Sequence, residues 1–262
     1  MPVAKAKHSR KRLKELAEAA LGILCRDGYE RCQVADVARA MGVAVGTVYL
    51  YVESKEALFD LVVRYAAIPG DDWLDEIQTP VKTPPPGATL DFLKSGFGEQ
   101  AEWPVLLAAL EKKKPKDSVA ELREVLAEQY ELMRLHRRVL TLLTRSALEF
   151  PGLAQVFVTG LRDRLLRLLA ALLEKRATAG LLRTAPDYAA TAAVMVQSLV
   201  WANLQRYADP ALAALQDETV EKATLDLLVQ GMIASPDFGA ASNEGKICHA
   251  PKSPEGRKRK GS

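Results

Sequence analysis

The chain has 262 residues, 48% of them hydrophobic and 26% charged, which gives it enough apolar surface to offset ordering entropy and excludes a disordered chain. Its 14 Pro and 16 Gly are too few for a collagen-like or low-complexity protein. Three cysteines without C-x-x-C spacing give neither a disulfide framework nor a zinc site, and they point to a reducing, cytoplasmic compartment.

The net charge of +3 is unevenly spread. Residues 1–66 hold 11 Lys/Arg against 8 Asp/Glu, residues 67–235 hold 19 against 22, and residues 236–262 hold 6 against 3. Lys5, Lys7, Arg10, Lys11, Arg12 and Lys14 fall within the first fourteen positions with no acid among them. Such a run is either a polyanion contact or a solvated leader. The residues after it are charged and amphipathic rather than an apolar signal core. The apolar run 189–204 contains Thr191, Gln197, Ser198 and Asn203 and falls short of a membrane span. No membrane association is expected.

In chain order, Leu13, Leu16, Ala17, Ala20, Leu21 and Leu24 predict an amphipathic helix over 10–27, stopped by Gly28. A second, short helix is predicted over 33–41 and a third over 45–51, with Gly42 between them. Ser54 can cap a fourth helix with an apolar stripe at Leu58, Leu61, Val62 and Tyr65. A break comes next, at Pro80, Pro84, Pro85 and Pro86. Helices resume over 88–100 and about 105–111, then a basic turn over 112–117. Ser118 and Glu121 form a capping-box signature for one long helix to about Phe150. Pro151 opens a helix to Gly180, Asp187 caps one reaching Tyr207, and the last covers 217–234. Beyond Pro236 the basic composition reads as a disordered tail. No alternating strand pattern occurs, so the fold is expected to be all-α.

Two short helices joined at Gly42 match the geometry of a helix-turn-helix over about 33–52, a corner that can seat its second helix in the DNA major groove. Any small helical domain can contain such a corner, and the residues decide between the readings. Gly28-Tyr29, Val34, Asp36-Val37-Ala38, Gly42-Val43, Gly46-Thr47-Val48-Tyr49, Tyr51, Ser54-Lys55-Glu56 and Leu58 resemble the N-terminal domain of the tetracycline-repressor (TetR) family of transcriptional regulators. The resemblance is strong over about 10–70. The later helices agree with that family's divergent second domain only in number, order and length.

The resemblance implies a basic N-terminal arm over 1–9 and a three-helix helix-turn-helix DNA-binding domain over 10–70. A larger helical ligand-binding and dimerisation domain over 71–235 and the tail over 236–262 complete the chain. DNA contacts are then expected from Lys11 and Arg12 of the basic leader and from Gln33 at the second helix. Val45, Gly46, Thr47, Tyr49 and Leu50 of the reading helix join them, with Lys55 at the start of the fourth. Gly46 lets the backbone approach DNA, Thr47 and Tyr49 offer hydroxyls to phosphate oxygens, and Lys55 offers an ammonium. Tyr51 is expected in the core.

Three departures from the family pattern stand out. Cys32-Gln33 replaces the usual Thr or Ser, and Ala44 replaces the usual Ser cap of the reading helix. Val45 and Leu50 are apolar at base-reading positions, where they can press on thymine methyls but make no bidentate hydrogen bond to guanine or adenine.

In the second domain, the last two long helices are expected to pair with those of a second copy. Ala193, Val196, Val200 and Leu204 form one side, and Val220, Leu227, Leu228 and Met232 the other. The middle helices would enclose a pocket for a small apolar or aromatic effector, with Trp103, Tyr130, Met133, His136, Phe157 and Trp201 as candidate lining. An enzyme is not expected. The chain has three His, no phosphate-binding or nucleophile-elbow motif, and acids at Glu121, Glu124 and Glu128 spaced as a solvated helix face. Neither a cofactor nor a metal is expected. The rival reading is a protein of this fold that binds a ligand or protein without DNA. The tail's Arg257-Lys258-Arg259-Lys260 is a nonspecific DNA tether or an accident of composition.

Overall fold

The computed structural model describes residues 3–97, 103–147, 149 and 151–234. The basic tail beyond residue 235 and Phe150 lie outside them. Among the described residues there are only helices and turns, apart from one parallel bridge between Val52 and Val81.

Helices α1 (Val3–Asp27), α2 (Val34–Ala40), α3 (Val45–Val48) and α4 (Lys55–Ala67) form the head of the molecule. Helix α1 begins at Val3 rather than at Arg10, so the leader expected as an arm is helical backbone from its third residue. Its Ala, Lys and Arg are good helix formers, and periodic apolar residues are not needed to extend a helix that is already nucleated. Gly28 and Gly42 end α1 and α2 with φ of +87° and +66°, the left-handed conformation that costs other residues about 1–2 kcal/mol. Ser54 caps α4, its hydroxyl accepting the Ala57 N–H at 3.1 Å.

A crossover containing a 3-10 turn (Asp72–Glu76) leads to α5 (Ala88–Phe97) and α6 (Pro104–Glu111). The single helix expected from Ser118 is two, α7 (Ser118–Leu135) and α8 (Arg137–Ser146), broken at His136. Nor is its start a capping box. Asp117 caps α7 by accepting the Val119 and Ala120 N–H groups at 2.9 and 3.0 Å. Glu121 is instead buried against Arg176, 2.7 Å away, because a guanidinium with 1% exposure requires a counter-charge. Glu128 is no solvated acid either, since it accepts the Val105 and Leu106 N–H groups that open α6.

The helix opened by Pro151 is α9 (Pro151–Ala154), a π-helical stretch (Gln155–Arg162) and α10 (Asp163–Thr178) in series. Helix α11 (Tyr188–Val200), capped by Asp187, likewise runs into a π-helical stretch (Trp201–Gln205). The short α12 (Pro210–Ala213) and then α13 (Asp217–Gln230) close the fold.

Apolar burial divides into two cores. One joins α1–α4 with Val139, Leu142, Leu143 and Ala147 of α8 and with Leu153 and Val156. The other joins α6, α7, α10, α11 and α13 around Leu126, Tyr130, Leu169 and Leu199. Helix α8 therefore belongs to the head by packing, although the chain reaches it only after the crossover.

Candidate nucleic-acid interface

The short turn at Gly42 sets α3 across α2, and the positions that face away from the head core are the ones the sequence singles out. Val45, Tyr49 and Leu50 are 40%, 46% and 67% exposed and lie close together in sequence at the corner. Val48, one position before Tyr49, is buried and pins the helix. Gln33 and Gly46 are exposed and Thr47 half-buried. A Cβ added at Gly46 would meet nothing within 4 Å. Internal packing therefore does not demand glycine at this position. Neither Gln33 nor Ala44 makes a side-chain cap bond to the helix it precedes.

Helix α1 borders this face. Arg12 shares a crevice of about 160 Å³ with Met41, Val43, Thr47 and Tyr51, which brings the predicted Arg12 and Thr47 together. Arg12 and Lys11 both pair with Glu15, at 2.9 and 3.9 Å. Arg10 and Lys14 turn the other way. Arg10 binds Asp72 and Asp75 at 2.9 and 2.7 Å, and Lys14 binds Asp71, so these two cations hold the crossover. Their hydrogen bonds to Asp72 and Asp71 raise both above their ordinary pKa values. Lys55 Nζ donates to the Glu30 carbonyl at 3.1 Å and lies 4.5 Å from the centre of the Tyr29 ring. Tyr51 is half-buried. The crossover touches the head at Tyr51–Ser54 and leaves Val45, Tyr49 and Leu50 uncovered.

Below the head, a cavity of about 260 Å³ opens between α7, α8, the first π-helical stretch and α11. Trp103, Met133, His136 and Phe157 line it, and Tyr130 and Trp201 do not. Helical periodicity explains the difference. Gln129, Leu132, Met133 and His136 share one face of α7, and Tyr130 lies about 100° away, fully buried in the second core. Val196, Val200 and Leu204 likewise share the cavity face of α11 and its π extension, with the exposed Gln197 at the cavity's rim, while Trp201, one turn beyond Gln197, points outward with 39% exposure. Thr144, Arg162 and Gln205 also line the cavity. Sequence reasoning sought apolar and aromatic lining and missed this polar share. The π-helical stretches supply Phe157, Leu161, Arg162, Leu204 and Gln205, and such stretches frequently occur at functional sites. Burial holds the His136 imidazole below its ordinary pKa.

The stripe expected to dimerise is corrected in part, since of its members only Leu227 is exposed. Val196, Val220 and Met232 are buried in their own subunit. The exposed face is Ala190, Val194 and Gln197 on α11 and Trp201 at the start of its π extension, with Ala223 and Leu227 on α13; Val194 and Leu227 are 64% and 76% exposed. The described residues contain no group of three or more potential metal ligands, and no helix among them is long and apolar enough to cross a membrane.

Residues 16–62 match the family model of bacterial regulatory proteins of the tetR family. The fatty acid metabolism regulator protein of Bacillus subtilis (strain 168) is 38% identical over 50 residues, covering 19% of this chain and 26% of that protein. The match thus spans about a quarter of that relative. The ketosteroid transcriptional regulator KstR2 of Mycobacterium tuberculosis has a similar fold, with TM-score 0.50, 14% identity and coverage of 86% of this chain and 96% of that one. Residues 16–62 are thus similar to the tetR family of bacterial regulatory proteins.

Proposed function

We propose that the protein is a sequence-specific, ligand-responsive transcriptional regulator, a repressor that binds a palindromic operator as a homodimer. The observation that carries this reading is the exposed apolar trio Val45, Tyr49 and Leu50 flanking a glycine that nothing in the protein crowds. Apolar side chains left in water on the short helix 45–48 and on the turn 49–51, where the expected helix gives way to turn, fit a surface that is covered when the major groove is entered. Thr47, Tyr49, Gln33, Lys11, Arg12 and Lys55 hold the sugar-phosphate rails, and Gly46 admits the backbone. Val45 and Leu50 meet thymine methyls, so affinity comes chiefly from phosphate contacts and DNA shape.

A single reading helix meets only a few base pairs, whereas two related by a two-fold axis read a palindrome. The uncharged stripe on α11 and α13 suits such pairing. The 260 Å³ cavity suits a small, mainly apolar effector. Coupling runs through α8. One of its sides, with Leu140 and Thr144, borders the cavity, and the other, with Val139, Leu142 and Leu143, belongs to the head's core. An effector that binds better with α8 displaced shifts the head, since only differential affinity moves such an equilibrium.

Selection of binding sites from random DNA tests the reading. An inverted repeat with T-rich steps under Val45 and Leu50 is expected. Recovery of no consensus, or of an operator core dominated by invariant G·C pairs, contradicts it.

A further inference from the structure

The crossover does more than join the head to α5. The Val81 N–H donates to the Tyr51 carbonyl at 2.8 Å, and the Glu53 N–H donates to the Val81 carbonyl at 3.0 Å. Thr83 adds its N–H to Glu53 Oε2 at 3.1 Å and its hydroxyl to Ser54 Oγ at 2.9 Å. Pro84, Pro85 and Pro86 then border a crevice with Tyr29 and Phe59. These contacts fix residues 81–83 on the loop just after the reading helix.

Lys82 is delivered there with its side chain 78% exposed and its ammonium on the Glu53 carboxylate. Glu53 lies three residues beyond Leu50, so their Cα atoms are within about 11 Å of each other. The Lys82–Glu53 pair thus lies within about one major-groove width, about 12 Å, of the exposed Leu50, a span over which a cation can reach the phosphates bordering the groove. Lys55, the lysine that the motif itself offers at this edge, keeps one hydrogen bond to the Glu30 carbonyl and stacks on Tyr29, so Lys82 is a second cation beside it. Glu53 alone would set a negative charge beside the phosphate rail.

We propose that Lys82 is a DNA-backbone contact, which makes residues 81–83 of the crossover part of the DNA-binding surface. Its ammonium moves from Glu53 to a phosphate oxygen, or bridges the two, when the duplex docks. An exposed ion pair contributes little to stability, so the exchange carries little penalty. The proposal rests on the DNA-binding reading above.

Fluorescence anisotropy of the full chain tests it, with two probes titrated against salt: the intergenic duplex beside its own gene and a short random-sequence duplex. Lys82→Gln is expected to weaken binding to both by about tenfold and to make the slope of log affinity against log salt shallower by about 0.9. Lys82→Arg is expected to keep both. Unchanged affinity and slope in Lys82→Gln overturn the proposal. So does a loss at unchanged slope that Glu53→Gln restores in the double variant, because Lys82 then only masks Glu53. A wild-type protein that binds neither duplex at low salt overturns the DNA-binding reading and this contact with it, a failure distinct from the other two.

Discussion

At the scale of single residues, Gly28 and Gly46, on either side of the corner, serve different ends. Gly28 is demanded from within. Its φ is +87°, and a Cβ there would collide with the Glu149 carboxylate, which also accepts the Glu30 N–H at 3.1 Å. Gly28→Ala is therefore expected to cost about 1–2 kcal/mol from backbone conformation, with more from displacing Glu149, read as a lower thermal midpoint. Gly46, with open space around it, is expected to tolerate Ala without loss of stability. Val45, Tyr49 and Leu50, exposed in the structure, could be singled out in the sequence because they belong to a dense local motif. Tyr130 and Trp201 were not, since an aromatic residue on a buried helix has no local mark showing which side meets a cavity. The thiols of Cys25 and Cys32 are pushed up to about 11 by burial, which makes them inert packing groups at neutral pH.

At the scale of elements, α3 is a single turn that lacks a side-chain cap at Ala44, whereas α4 and α11 have theirs at Ser54 and Asp187. Ala44 has extended backbone angles, φ −69° and ψ 148°, which a capping serine adopts without strain. Ala44→Ser is expected to raise stability by about 0.5–1 kcal/mol, measured by urea denaturation; a destabilised variant would show that another interaction holds the turn. The helix-turn-helix was readable because glycines and a short apolar stripe determine it locally. The break at His136 and the two π-helical stretches were not. A shifted hydrogen-bond register leaves no compositional trace, and Asp117 sits one position before the apparent capping box. The buried destinations of Glu121 and Glu128 were hidden for a related reason: their partners lie on other helices, far along the chain.

At the scale of the whole molecule, α8 stands between the head's core and the cavity, and the outer faces of α11 and α13 carry apolar groups that neither core uses. Val194 and Leu227 are expected to lie in the dimer interface. Leu227→Glu should shift the protein toward monomer in sedimentation and weaken operator binding, because each subunit alone presents one reading helix. An unchanged dimer would place the interface elsewhere.

The claim on which all of this depends is that the corner at Gly42 offers Thr47 and Tyr49 to a duplex backbone. It is tested most directly by titrating the intergenic duplex with the wild-type chain and with the double variant Thr47→Ala/Tyr49→Phe at several salt concentrations. The expected result is wild-type binding that weakens steeply as salt rises, with each lost hydroxyl–phosphate bond costing about tenfold in affinity. Equal affinity of the two proteins, or no binding by the wild-type chain at low salt, would contradict it.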